Sequence, residues 1–159
     1  MRSIVGTLAY VVRDGGVLLV HRQRAGDDHR GKYNGLGGKL EPDEDVVACV
    51  ARELEEEAGI TPTSLRLRGT VSWPGFGSDG ADWFGLVFLV DAFDGEPPDH
   101  NDDGPLAWVP LDELHALPMW EGDRYFLPLV FDDDPRQFHA VLPYLDGRLV
   151  PEAASVTRL

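Results

Sequence analysis

GKLEPDEDVVACVARELEEEAGI, residues 38–60, is the stretch that decides the fold. Pro42-Asp43 opens a helix, with Asp43 able to cap the free N–H groups and Glu44 and Asp45 favoured by the dipole in the first turn. Val47, Val50, Ala51, Leu54 and Ala58 follow at helical spacing as a core-facing stripe, and Gly59 supplies a left-handed stop. At about 100° per residue, Glu53 and Glu57 lie roughly 40° apart and Glu56 roughly 60° to the other side of Glu53. Like charges at these spacings oppose one another by roughly 0.2–0.5 kcal/mol per pair, and the C-terminal half of a helix disfavours anions. A solvated acidic face is the plain reading of such a cluster. The sharper one is a site for Mg²⁺ or Mn²⁺, hard cations that take oxygen ligands and share them with phosphate. The preceding Gly35-Leu36-Gly37-Gly38 favours the second, because bare backbone can bring carbonyls to a metal and N–H groups to an anion.

Upstream, Ile4–Val12 and Val17–His21 are apolar and β-branched around Asp14-Gly15-Gly16, a β-hairpin, and a loop over 23–33 leads into a short strand over 34–40. Downstream, strands are expected over Ser64–Trp73 and Trp83–Phe93, joined by a Gly-rich turn, then an acidic loop over 94–105 and a strand over Leu106–Val109. Asp112–Leu117 fits one helical turn and Asp123–Phe131 a longer helix containing Pro128. Phe138–Leu142 and Arg148–Val150 around Asp146-Gly147 suggest a closing hairpin, with residues 151–159 expected to fray. With no repeat or linker in its 159 residues, the chain reads as a single α+β domain.

The formal charge is −14, which argues against binding a nucleic acid polymer by neutralising its phosphates. A small phosphate-bearing partner would need its positive charge from elsewhere. The single Cys49 allows no internal disulfide, and neither a signal peptide nor a run of ~18 apolar residues is present. These features point to the cytoplasm and away from membranes.

From Gly38 there are five residues to Glu44, seven more to Arg52-Glu53-Leu54, one to Glu56-Glu57 and one to Gly59-Ile60. This spacing resembles the Nudix box, the signature of hydrolases that cleave nucleoside diphosphates linked to a further moiety. The resemblance implies a Nudix fold, a mixed β-sheet sandwiched between helices (α/β/α). It also implies Mg²⁺ dependence, with Mn²⁺ able to substitute. By position in the motif, Glu53, Glu56 and Glu57 would be metal ligands, joined by the carbonyl of Gly37 or Gly38. Arg52 would orient Glu53, Glu44 would support the box, and Glu53 is the first choice to position or deprotonate the attacking water. Asp103 is the candidate for a further carboxylate from the acidic loop, with Asp102 its alternative.

Two other segments resemble the MutT-type branch, which removes oxidised purine nucleoside triphosphates such as 8-oxo-dGTP from the nucleotide pool. These are Lys32-Tyr33-Asn34-Gly35-Leu36-Gly37-Gly38-Lys39 and residues 117–129, LPMWEGDRYFLPL. Carried across by position, Asn34 would hydrogen-bond the purine, Trp120 stack on it, and Asp123 read its Watson–Crick edge, while Lys39 is placed to touch a phosphate. Gly122 stands where the eukaryotic enzymes carry a second acid, so narrower base choice is expected, 8-oxo-guanine over 2-hydroxyadenine. The alternatives are a pyrophosphatase of ADP-ribose or another nucleoside-diphosphate sugar, suggested by Pro74, and a non-catalytic nucleotide-binding domain, against which every box glutamate is present. A monomer or homodimer acting on a small nucleotide is expected.

Overall fold

The computed structural model describes residues 3–159. Its strands are β1 (Ser3–Arg13), β2 (Gly16–His21), β3 (Tyr33–Asn34), β4 (Thr61–Trp73), β5 (Asp82–Asp94), β6 (His100–Asn101), β7 (Gly104–Pro110), β8 (Phe138–Val141), β9 (Tyr144–Leu145), β10 (Arg148–Leu149) and β11 (Ser155–Arg158). Its helices are α1 (Val46–Ala58) and α2 (Asp123–Phe131), with a 3₁₀ turn over Leu111–Ala116. Among the described residues nine strands form one mixed sheet in the order β11-β8-β4-β5-β1-β2-β7-β6, with β3 on β2, and β9 and β10 make a separate small hairpin. β1 runs parallel to β5, and β4 parallel to β8.

Alternation along the central strands divides the core in two. Ala9 and Val11 of β1, Leu18 and Val20 of β2, and Phe88 and Val90 of β5 pack with Val50, Leu54 and Ala58 of α1. Their neighbours Tyr10, Val17, Leu19, Val87 and Leu89 pack on the other face with Phe126, Leu127 and Val130 of α2. The expected sandwich is therefore present, with β1 contributing to both faces.

Several local expectations are corrected. The cap of α1 is Asp45, whose carboxylate accepts from the N–H groups of Val47 and Ala48, whereas Asp43 sits in a left-handed turn at φ 61°. The buried stripe is Cys49, Val50, Leu54 and Ala58, whereas Val47 is half exposed. No continuous strand runs over 34–40: after Asn34 leaves β2, the chain crosses to β1, where Leu36 bridges Ala9 and Lys39 bridges Gly6. A segment that changes partner in midcourse cannot keep one ladder. The closing hairpin spans β9 and β10 only, and Phe138–Val141 pairs instead with β4 and β11. Residues 155–158, expected to fray, form an edge strand, and Arg158 also holds Asp132 at 2.7 Å. Beside that pair the buried Arg68 donates to the carbonyls of Leu129, Val130 and Asp134, satisfying groups that the end of α2 leaves open.

Candidate active site

The crossing at residues 36–39 and the C-terminal half of α1 build one end of the site. Gly37 adopts φ 121°, and a Cβ there would run into the carbonyl oxygen of Thr7 on β1. This backbone lies against Glu57, whose Oε2 accepts from the Gly37 N–H at 2.8 Å. A Cβ on Gly38 would stand 2.6 Å from Oε1 of Glu53, so Gly38 is required by close approach to the carboxylate helix and Gly37 by close approach to β1. The Gly38 carbonyl already accepts from the Thr7 N–H at 2.9 Å.

Arg52 organises the other carboxylates. Its Nε and Nη2 grip Glu44 at 2.7 and 2.9 Å, and its Nη1 reaches Glu53 at 2.9 Å and Glu56 at 3.2 Å. The guanidinium fork holds the Glu44 carboxyl down to about 2. Glu53 behaves differently, since burial raises it despite Arg52. Burial also pushes Glu57 up to about 8, with the charges of Glu53 and Asp103 adding to the rise and the Gly37 N–H opposing it.

The acidic loop brings Asp103 to this end. Asn101 donates to the backbone carbonyl of Glu57 at 3.0 Å and accepts from the Asp103 N–H at 2.9 Å, tying the loop to the end of α1. Asp103 lies 3.4 Å from Arg24 and 3.8 Å from Arg22, while Asp102 is exposed. Sequence reasoning missed Asn101, whose role depends on a contact with Glu57 far away in the chain.

No three metal-type side chains already converge into a cage among the described residues, and the Glu56 side chain is 58% exposed. The donor chemistry nevertheless fits a hard divalent cation. Two carboxylates raised by burial, Glu53 and Glu57, flank bare glycine backbone and offer oxygen donors on one side of it.

A cleft of about 360 Å³ continues from this backbone, its lining shared by Gly37, Gly38 and Lys39 and by Asn34, Trp120 and Asp123. Its aromatic walls include Tyr10, Trp73, Phe76 and Trp83. Trp120 packs edge-on against Phe76 and Tyr144, and Lys32 Nζ lies 4.3 Å from the centre of its ring. The Oδ1 of Asn34 is buried without a hydrogen-bond partner among the described residues. Gly122 is close-packed: its N–H donates to the Tyr144 hydroxyl at 2.9 Å, and a Cβ there would stand 2.9 Å from the same oxygen. Pro74 does not line the cleft, and its carbonyl accepts from the Tyr144 N–H. The wall residues His29, Trp73, Phe76 and Trp83 were missed in the sequence; aromatics flanking the Gly-rich turn were the available signal for the last three.

Burial pushes Asp123 up to about 7, with Arg124 opposing weakly. The folded state therefore holds this proton more tightly than the unfolded chain, and stability is lost as pH rises between the ordinary carboxyl range and about 7. Asp123→Asn is expected to stabilise the protein more at pH 8 than at pH 5. Thermal unfolding of both proteins at the two pH values checks this, and an equal difference at both would contradict a buried acid.

A NUDIX domain model matches residues 2–130. The oxidized purine nucleoside triphosphate hydrolase of Danio rerio is 33% identical over 125 residues, covering 78% of this chain and 77% of the relative. A MutT protein from Bacillus halodurans superposes with a TM-score of 0.81 at 29% identity, covering 98% of this chain and 97% of that one. A MutT Nudix hydrolase from Burkholderia pseudomallei does so at 0.69 and 35% identity, covering 82% and 99%. No helix among the described residues is long and apolar enough to cross a membrane. The box spacing, the glycine–carboxylate packing and these likenesses agree: the chain belongs to the Nudix hydrolase family, enzymes that act on phosphoric anhydrides and generally use divalent metal ions such as Mg²⁺.

Proposed function

We propose that this chain is a Mg²⁺-dependent pyrophosphohydrolase that converts purine nucleoside triphosphates, 8-oxo-dGTP foremost, to the monophosphate and pyrophosphate. The observation that carries this reading is the single cleft shared by Asn34, Trp120 and Asp123 and by the glycine backbone that packs on Glu53 and Glu57. A base held at one end places the phosphate chain at the other.

Glu53, Glu56 and Glu57, with the carbonyl of Gly37 or Gly38 and with Asp103, would hold the cation. Bound there, Mg²⁺ neutralises phosphate oxygens in the ground and transition states. Arg52 keeps Glu53 aimed at the phosphate end, and Glu53, raised by burial, is suited to take a proton from the attacking water. Lys39 and Arg22 border the cleft and offer positive charge to the phosphates. At the base end the indole of Trp120 offers a stacking surface, and the free Oδ1 of Asn34 accepts a base N–H. Asp123 titrates near neutrality and answers the N1–H and exocyclic amine of guanine.

A nucleotide panel with Mg²⁺ tests the reading: pyrophosphate released from 8-oxo-dGTP supports it, and AMP from ADP-ribose in its place overturns it. Asp123→Ala is expected to reduce kcat/KM for 8-oxo-dGTP by about tenfold more than for dATP, whose base lacks the N1–H, the scale of one lost buried hydrogen bond to a charged group. Equal losses would remove Asp123 from base recognition. Wild type should also favour 8-oxo-dGTP over 2-hydroxy-dATP in kcat/KM.

A further inference from the structure

His29, in the loop between β2 and β3, belongs to neither the Nudix box nor the two segments that suggested a purine site. It lies on the wall of the cleft, where its Nδ1 is 2.7 Å from the indole Nε1 of Trp120 and 3.2 Å from Nδ2 of Asn34. An indole nitrogen can only donate, so Nδ1 must be an unprotonated acceptor and the ring proton sits on Nε2. The same lone pair selects the Asn34 amide rotamer. Turning that amide over would set Oδ1 against Nδ1, two acceptors facing one another, so the NH₂ faces the histidine and Oδ1 stays unpaired.

Burial favours the neutral ring, and of the charges facing it Arg22 and Lys32 act the same way, while Asp27 and Asp28 act against. The loop is itself held in place. Asp27 accepts from the His29 N–H at 2.9 Å and from Arg22 Nε at 2.7 Å, and the His29 carbonyl accepts from the Lys32 N–H. The ring also meets Trp120 edge-on at 82° and leans on Phe76.

We propose that His29 is a positioning residue for the nucleobase: one imidazole nitrogen fixes both the plane of the Trp120 indole and the direction of the Asn34 carbonyl. This rests on the reading of the cleft as a base pocket. The imidazole sets the hydrogen-bonding face that the base meets, so its loss weakens substrate binding and leaves the phosphate end assembled.

The test compares His29→Phe, which keeps ring volume without an acceptor, with His29→Gln, which restores one. KM for 8-oxo-dGTP should rise about tenfold in His29→Phe with kcat altered less than about twofold, and His29→Gln should recover to within about threefold of wild type. In ¹⁵N–¹H spectra, the indole resonance assigned through Trp120→Phe should move in His29→Phe. A KM within twofold of wild type, a fall in kcat as large as that in kcat/KM, or an unmoved indole resonance would each overturn the proposal. Should His29→Phe not fold, His29→Ala takes its place with the same criteria. A wild type that cleaves ADP-ribose and no purine triphosphate overturns the substrate reading alone, and the KM comparison is then made with ADP-ribose. If neither is cleaved, the indole resonance decides.

Discussion

Glu53→Gln and Glu57→Gln are each expected to lower turnover about 10²–10⁴-fold, the range associated with losing a positioned acid or base, while leaving the fold intact. Both substitutions preserve shape and an acceptor oxygen, so Arg52 can still donate at position 53 and the Gly37 N–H at position 57. What disappears is negative charge. At Glu57 that charge is a burden on the empty protein, since burial and the neighbouring Glu53 and Asp103 push its pKa up to about 8. The folded protein thus pulls a proton onto Glu57, and stability falls as pH rises from the ordinary carboxyl range through about 8. Glu57→Gln should consequently match or exceed wild type in Tm at pH 8 while failing as a catalyst. Steady-state turnover with Mg²⁺ beside thermal unfolding in its absence reads the two effects separately. Turnover surviving within tenfold in both variants would remove these carboxylates from the chemistry.

Gly37→Ala is expected to damage folding and activity together. The backbone there lies at φ 121°, where a side chain costs about 1–3 kcal/mol. The added methyl also meets the Thr7 carbonyl, a backbone atom in a strand held by β5, adding overpacking of about 1–3 kcal/mol. Any shift that relieves the clash moves the Gly37 N–H away from Glu57. Gly15→Ala is the control, because Gly15 also has positive φ at 77° but has nothing within 4 Å of its would-be Cβ. Urea unfolding should show Gly37→Ala destabilised by roughly 2–6 kcal/mol and Gly15→Ala by about 1, with turnover lost only in the former. Equal destabilisation would mean that conformation alone, without the contact to Thr7, sets the cost.

The parts of the fold legible in the sequence are those governed by local rules. The Asp14-Gly15 hairpin follows from turn chemistry and the end of α1 at Gly59 from the left-handed stop, and the span of α2 was legible although that helix begins without a side-chain cap. Its beginning does not, because Asp43 and Asp45 are equally good caps in isolation and the choice falls to the turn preceding the helix. β11 was illegible for another reason: Ser155–Arg158 has no apolar face of strand quality and is ordered by pairing with β8 and by Arg158 gripping Asp132. In the site, the spacing of Glu53, Glu56 and Glu57 could be read, and the contact of Arg52 with Glu53 was anticipated. His29 and Asn101 could not be found so, since each acts through a partner distant in sequence, Trp120 in one case and Glu57 in the other.

The packing of Gly122 on Tyr144 bears on how the wall of this cleft can change over generations. An acid at position 122, next to Asp123, would push into the Tyr144 hydroxyl and abandon the hydrogen bond that it accepts. Tyr144 is buried and its ring packs edge-on against Phe76 and Trp120, so it cannot swing aside without disturbing the wall of the cleft. Gly122→Asp alone should therefore be a step downhill in fitness, and the same change after Tyr144 has become smaller should be tolerated. The order of mutations, rather than their number, then governs whether descendants of this chain can acquire a two-acid pocket.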